Sequence, residues 1–273
     1  MHRIRHDTSY TSSDPRFIYL PRIFYISKQN LCKRHSKNIM NTNIEDWIIM
    51  LLTNIGMKEI PQKSVLLIEE DLGSIKSIFI QREGFDAMKI GKKVMYISTK
   101  RSRGDVLDQM SMFGLNVDSE MFTILGDFKD RTALLDMCRE DTLKHKNLYH
   151  LIDPSLRDIS GTDICIVDTF TSLFIDEEVH VLADALNSLV NVSRYSSTTF
   201  LLAADMGILE ERAERIMRSM VDGIIQFRTI YTGDKINRFI NIPKLKGVLP
   251  LRKMIPFYIT GEGISIDTRE RVG

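Results

Sequence analysis

The stretch Ser64-Val65-Leu66-Leu67-Ile68-Glu69-Glu70-Asp71-Leu72-Gly73-Ser74-Ile75-Lys76-Ser77 decides the fold. Its first part, Ser64–Glu69, is a compact apolar run suited to a buried strand. A loop follows, and the pattern then predicts a helix from about Lys76 to Ile90. Strand, loop and helix in this order form the setting in which backbone N–H groups and a helix N-terminus hold phosphate. In the phosphate-loop pattern G-x-x-x-x-G-K-[ST], Lys76 would reach the β- and γ-phosphates and Ser77 would bind Mg²⁺. Glu70 and Ile75 occupy both glycine positions, so the strict motif fails.

Outward from this segment, strands alternate with helices. Strands are expected at Lys93–Ser98, Phe122–Leu125, Asp163–Val167, Thr198–Ala203 and Gly223–Phe227, with helices near Asp105–Met112, Glu177–Val192 and Leu209–Met220. Such alternation argues for an α/β fold with a mostly parallel sheet covered by helices on both faces. The runs Arg238–Ile242, Ile255–Ile259 and Ile264–Ile266 have no helices between them, which predicts antiparallel strands at the C-terminal edge. Before the first strand, Ile44, Trp47, Ile48, Leu51 and Leu52 recur at helical spacing, with Asn43 as N-cap.

The arrangement resembles the KaiC-like branch of the RecA superfamily of P-loop ATPases. Glu59 to Ile68 looks like that family's lead-in strand, and Glu69-x-Asp71-x-Gly73-Ser74-x-Lys76-Ser77 like its phosphate loop. Val94-Met95-Tyr96-Ile97-Ser98-Thr99 resembles its second strand, followed by Gln109-Met110-x-x-Phe113-Gly114 in the next helix. Asp163-Ile164-Cys165-Ile166-Val167-Asp168 resembles a Walker B strand ending in its acid. Asp222-Gly223-Ile224-Ile225, Lys244-Leu245-Lys246-Gly247 and Pro256-Phe257-x-Ile259-Thr260-x-x-Gly263-Ile264 match the late strands. The likeness runs in order from about Lys58 to Asp267. It implies a RecA-like domain over 41–273, and ATP with Mg²⁺ as ligands. On this basis the nucleotide-binding set is Asp71, Gly73, Ser74, Lys76, Ser77, Lys100, Arg101, Lys244 and Lys246, with Ser77 and Asp168 toward the metal. No catalytic residue is assigned.

The departures from the family pattern carry information of their own. A β-branched Ile75 in left-handed geometry would cost on the order of 1–3 kcal/mol, so a loop of different shape is expected. Glu70 beside a polyanion, at 4 Å and an effective dielectric near 20, would add roughly 4 kcal/mol of repulsion, about three decades in affinity. ATP and Mg²⁺ binding should therefore be weak or lost. Where the resemblance places two water-activating glutamates after the second strand, this chain has Lys100 and Arg101. Neither can act as a general base beside phosphate, although both can bind phosphate or pair with a carboxylate. The expectation is a pseudo-ATPase with a regulatory or scaffolding role. The alternative is an ATPase of recombination, repair or signalling whose site a partner subunit completes. Because Glu70 and the Lys100–Arg101 pair change in opposite senses, an ion pair between them is also expected. Asp168 reads either as a water-mediated Mg²⁺ ligand or as an acid capping a strand end. Lys244 and Lys246 read either as reaching a neighbouring subunit's phosphates or as solvated charges on an edge strand.

Composition sets outer limits. The net charge of +1 excludes a global attraction to nucleic acid or anionic membrane. Residues 1–40 are the exception: Arg3, Arg5, Arg16, Arg22, Lys28, Lys33, Arg34 and Lys37 face only Asp7 and Asp14. They read as a basic arm for nucleic acid or phospholipid, as a disordered tail, or as sequence ahead of a true start at Met40; nucleic-acid binding is not favoured. Cys32, Cys138 and Cys165 are widely spaced and odd in number, which fits a reducing compartment and a cytoplasmic location. No apolar run approaches the roughly 20 residues that span a bilayer, and the histidines show no metal-binding spacing.

The resemblance also implies a homo-oligomer, or a hetero-oligomer with a RecA-fold paralogue, built head to tail so that Lys244 and Lys246 meet the next phosphate loop. Such an interface closes into a ring or runs on as a filament. Sedimentation of the chain at tens of micromolar, with and without ATP, is expected to show species larger than a monomer. A strict monomer under both conditions would rule out the homo-oligomer.

Overall fold

The computed structural model describes residues 60–129, 161–249 and 252–266, except 72, 74, 118, 119, 248 and 262. The basic segment 1–40 and the expected helix around Trp47 lie outside the described residues. The elements are β1 (Val65–Glu70), α1 (Ile75–Lys89), β2 (Val94–Ser98), α2 (Arg103–Met112), β3 (Phe122–Leu125) and β4 (Ile164–Asp168). After a 3-10 turn at Phe170–Leu173 come α3 (Val179–Ser196), β5 (Thr199–Asp205) and α4 (Glu211–Met220). The chain continues through β6 (Gly223–Thr232), β7 (Lys235–Leu245), β8 (Ile255–Thr260) and β9 (Gly263–Ile266). Among the described residues the sheet order is β3-β2-β4-β5-β1-β6-β7-β8-β9. The strands β3, β2, β4, β5, β1 and β6 pair in parallel, and β7, β8 and β9 add antiparallel ladders. This is the α/β fold expected, including its antiparallel C-terminal edge.

Strand alternation divides the core into two layers, because successive side chains point to opposite faces. Leu66 and Ile68 of β1 and Tyr96 of β2 face one layer, with Phe79 and Ile80 of α1, Val106 and Met110 of α2, and Phe257, Ile264 and Ile266 of the β8–β9 hairpin. Val65 and Leu67 face the other, with Leu182, Leu186 and Leu189 of α3 and Met217 of α4. β1 is buried along its whole length, which explains why it reads as a continuous apolar run rather than an alternating one. No helix among the described residues is long and apolar enough to cross a membrane.

Helix α1 lies close on the sheet. A Cβ added at Gly84 would come within 2.8 Å of Ile166 Cδ1 and 2.9 Å of Phe122 Cε2, so any larger residue would force these side chains to shift. Its neighbour Glu83 is buried, and Glu83 Oε1 finds no hydrogen-bond partner among the described residues. Burial, reinforced by the nearby Asp86 carboxylate and only partly offset by Arg82, pushes the Glu83 carboxyl up to about 8 from its ordinary 4.5. The folded chain therefore holds this proton where the unfolded chain releases it. Stability from this group is full below about pH 4.5 and is lost as pH rises through 8. Between pH 6 and 8 the loss amounts to about 2 kcal/mol. Glu83→Gln is expected to remove that part of the slope, as read from denaturant midpoints at the two pH values. An unchanged slope would mean that Glu83 is charged in the fold.

Candidate functional site

The site is built where β1 hands over to α1. At the end of β1 the Glu70 side chain turns back on the loop. Its Oε1 accepts from the Ile75 amide at 3.1 Å, and its Oε2 accepts from the Lys76 amide at 3.1 Å. Lys76 Nζ lies 3.7 Å from the same Oε2, and both side chains are buried. Gly73 takes φ +126°, and a Cβ there would sit 2.8 Å from Glu70 Oε1. The glycine therefore makes room for the carboxylate. Among the described loop residues Gly73 has a positive φ, while Ile75 is the first residue of α1 and has none. Ile75 thus carries no left-handed strain. Leu72 and Ser74, the latter in the expected nucleotide-binding set, lie outside the described residues.

Desolvation raises the Glu70 carboxyl above its ordinary range, while the Lys76 amide, the Lys76 charge and the Ile75 amide pull it back down. Lys76 also pairs with Asp205 at the end of β5, and Lys100 Nζ lies 3.4 Å from the other oxygen of that carboxylate. The register sets Glu70 beside Asp205. Charges therefore alternate along the carboxyl edge of the sheet: Glu70, Lys76, Asp205, Lys100.

This corrects the expected pairing of Glu70 with Lys100 or Arg101. Neither contact occurs among the ion pairs of the described residues; Lys100 pairs with Asp205 and Arg101 with Asp168. The reason lies in strand order. β2 and β1 are separated by β4 and β5, three strand steps or roughly 14 Å. An acid on each intervening strand meets the cations first.

Asp168 forms the second half of the site. Ser77 Oγ donates to Asp168 Oδ1 at 3.0 Å, the Tyr96 hydroxyl donates to Oδ2 at 2.6 Å, and Arg101 pairs with Oδ2. Arg101 also meets Gln109, whose Oε1 accepts from Gln81 Nε2 at 2.8 Å. The backbone around Arg101 is fixed on both sides. Its amide donates to Ser98 Oγ at 3.0 Å, and its carbonyl accepts from Asp127. The next residue, Ser102, opens α2 with a capping box to Asp105. Burial and the Asp168 carboxylate hold the Tyr96 phenol well above its ordinary range, so it remains a donor. Burial works against the Arg101 charge, yet Asp168 and Tyr96 outweigh it and raise the guanidinium further.

Mg²⁺ in a phosphate-loop protein rests on one or two carboxylates, a Ser or Thr hydroxyl and the substrate's phosphates. Ser77 and Asp168 are adjacent here, as that role requires. However, Tyr96 and the Arg101 cation share the carboxylate oxygen turned away from Ser77. As arranged, the donor set does not fit a divalent ion. Among the described residues no group of three or more His, Cys, Asp or Glu could hold a metal by itself.

Of the other expected residues, Asp71 turns to β6, where its Oδ2 accepts from the Thr229 amide at 3.3 Å. Lys244 donates to the Ser219 carbonyl at 3.0 Å, at the end of α4, and Lys246 donates to the Lys63 carbonyl at 3.2 Å. Both lysines lie beside the amino ends of β1 and β6, away from this chain's own phosphate loop, because β7 runs antiparallel to β6. Sequence reasoning missed Asp205, Tyr96 and Gln81 as members of the site. Asp205 follows an apolar strand at its carboxyl end, as Asp168 does, so the same rule would have found it. A tyrosine inside a buried strand also signals that its hydroxyl needs a partner.

Comparisons with known proteins agree with this fold. A family model described as "ATPase: KaiC" matches residues 40–271. The UPF0273 protein of Pyrococcus furiosus is 24% identical over 228 residues, covering 77% of this chain and 90% of its own length. That of Pyrococcus horikoshii is 23% identical over 219 residues, with coverages of 76% and 87%. Among solved structures, the flagellar accessory protein FlaH from Methanocaldococcus jannaschii superposes with a TM-score of 0.62 at 18% identity. That superposition covers 80% of this chain and 95% of the other, and shows a shared fold. With the family model spanning most of its length, the chain belongs to the KaiC ATPase family of the RecA superfamily.

Proposed function

We propose that this chain is a regulatory or scaffolding member of its family, binding ATP weakly and not turning it over. The observation that carries the reading is the Glu70 carboxylate on the Ile75 and Lys76 amides. A helix N-terminus with a lysine beside it is an anion site, and here the anion is the chain's own. A phosphate entering the site has to displace a buried carboxylate or lie against it. The residues that would hold the phosphates are the α1 amides and Lys76.

Hydrolysis needs a group to activate water, and Lys100 and Arg101 cannot serve. Each is a cation paired with a carboxylate, Asp205 and Asp168 respectively. Those two acids are correspondingly engaged, which leaves no free base beside the loop among the groups that form the site. A chain that keeps the fold and the loop lysine without a base is suited to act through assembly. The Lys244–Lys246 segment is proposed as the surface that meets a neighbouring RecA-fold subunit.

The purified chain is expected to show negligible steady-state ATPase activity, since loss of a general base alone lowers rates by about 10²–10⁴-fold. Turnover comparable to competent relatives, and abolished by Lys76→Ala, would overturn the reading. Glu70→Gly is expected to tighten ATP binding at least tenfold by freeing the helix amides, with Glu70→Gln intermediate because it keeps an acceptor but removes the charge. Unchanged or weaker binding in both variants, measured by calorimetry, would show that Glu70 does not hold the anion position.

A further inference from the structure

The Arg101 guanidinium pairs with the carboxylate that a divalent ion in this crevice would need. Asp168 is buried at 2% exposure, and a carboxylate offers about four acceptor positions. The Ser77 and Thr169 hydroxyls donate to Oδ1, and Tyr96 and Arg101 together take Oδ2. The arginine is held on its other side by Gln109, and Gln109 in turn by Gln81. A guanidinium cannot lose its proton, so it is a permanent charge. Its position is fixed by the Ser98 hydroxyl before it and the capped start of α2 after it. A hydrated divalent cation reaching Asp168 would have to expel a fixed cation of like sign and break the Tyr96 hydrogen bond.

We infer that Arg101 is the resident cation of this crevice, and that the polyphosphate it accepts is metal-free. The inference rests on the reading of the crevice as a phosphate site and adds what accompanies the phosphate. Arg101 then neutralises Asp168 in the way a metal would, and holds its positive charge in place through Asp168, Tyr96 and Gln109. Lys76 and Lys100, tied together through Asp205, supply positive charge on the other side. Metal-free nucleotide carries more negative charge than its Mg²⁺ complex, which suits a site whose cations all belong to the protein.

The test is the ratio of ATP affinities with excess EDTA and with millimolar Mg²⁺, measured by calorimetry on the full chain and on Glu70→Gly. In both proteins ATP is expected to bind at least as tightly in EDTA as in Mg²⁺. Arg101→Gln should reverse the order, giving a preference for Mg·ATP of tenfold or more, while Arg101→Lys should keep the original order. Asp168→Asn should shift both affinities together, because Asp168 holds no metal. Melting curves identify any variant that fails to fold, and the wild-type and Glu70→Gly ratios stand without it. A tenfold preference for Mg·ATP in the unaltered crevice would overturn the inference. So would an unchanged ratio in a folded Arg101→Gln, or no ATP binding to either protein under either condition. Turnover is read separately. Preference for Mg·ATP without hydrolysis overturns this inference and leaves the proposed function standing, whereas hydrolysis without a metal preference does the reverse.

Discussion

Helix α1 starts inside the protein, and a buried helix start leaves amide groups that must find acceptors. In a phosphate-loop protein the ligand supplies them. Here Glu70 does, accepting from Ile75 and Lys76 while Gly73 gives way around it. The order of the crevice follows from this contact. Carboxylate at the amides draws Lys76 inward, Lys76 draws Asp205, and Asp205 holds Lys100. Charge-assisted hydrogen bonds of this kind are stronger than neutral ones, and the helix dipole adds about 0.3–1 kcal/mol, more when partly buried.

The neighbouring residue shows how strand geometry assigns roles. Glu69 and Glu70 are adjacent and both buried, yet they face opposite layers. Glu69 accepts from Arg218 Nε of α4 at 2.7 Å and from Gln226 Nε2 of β6 at 2.7 Å. Asn241 of β7 then donates to Gln226 at 2.9 Å, so Glu69 ties the parallel sheet to its antiparallel extension. Glu70 faces α1 and closes the crevice. Buried ion pairs contribute little net stability against an apolar replacement, while removing one partner typically costs 3–5 kcal/mol. Their effect here is to fix arrangement: Lys76 bridges Glu70 and Asp205, Lys100 meets Asp205, and Arg101 meets Asp168.

Charge is balanced within each half of the crevice. A nucleotide site normally leaves positive charge for the phosphates and negative charge for the metal. In this chain the positive groups Lys76, Lys100 and Arg101 and the negative groups Glu70, Asp205 and Asp168 satisfy one another. Glu70 and Lys100 therefore end one chain of ion pairs through Lys76 and Asp205, while Arg101 closes separately on Asp168.

The sequence by itself determined the fold, because continuous apolar strands separated by amphipathic helices admit few arrangements, and each expected strand lies within a residue or two of its place until β6 and β7. Those two extend further, to Thr232 and from Lys235, since their outer halves are exposed on a two-stranded ribbon and carry no apolar run to announce them. The sequence also singled out Glu70, Lys76, Ser77, Lys100, Arg101 and Asp168 as one region, since parallel strands deliver their carboxyl ends to a common edge. Which acid meets which base was decided only by tertiary structure. Strand order places β4 and β5 between β2 and β1, and pairing distance follows the sheet, not the chain. The same holds for Tyr96 and Gln81: the β2–β4 pairing sets Tyr96 beside Asp168, and α1 lying on the sheet brings Gln81 to Tyr96 and Gln109.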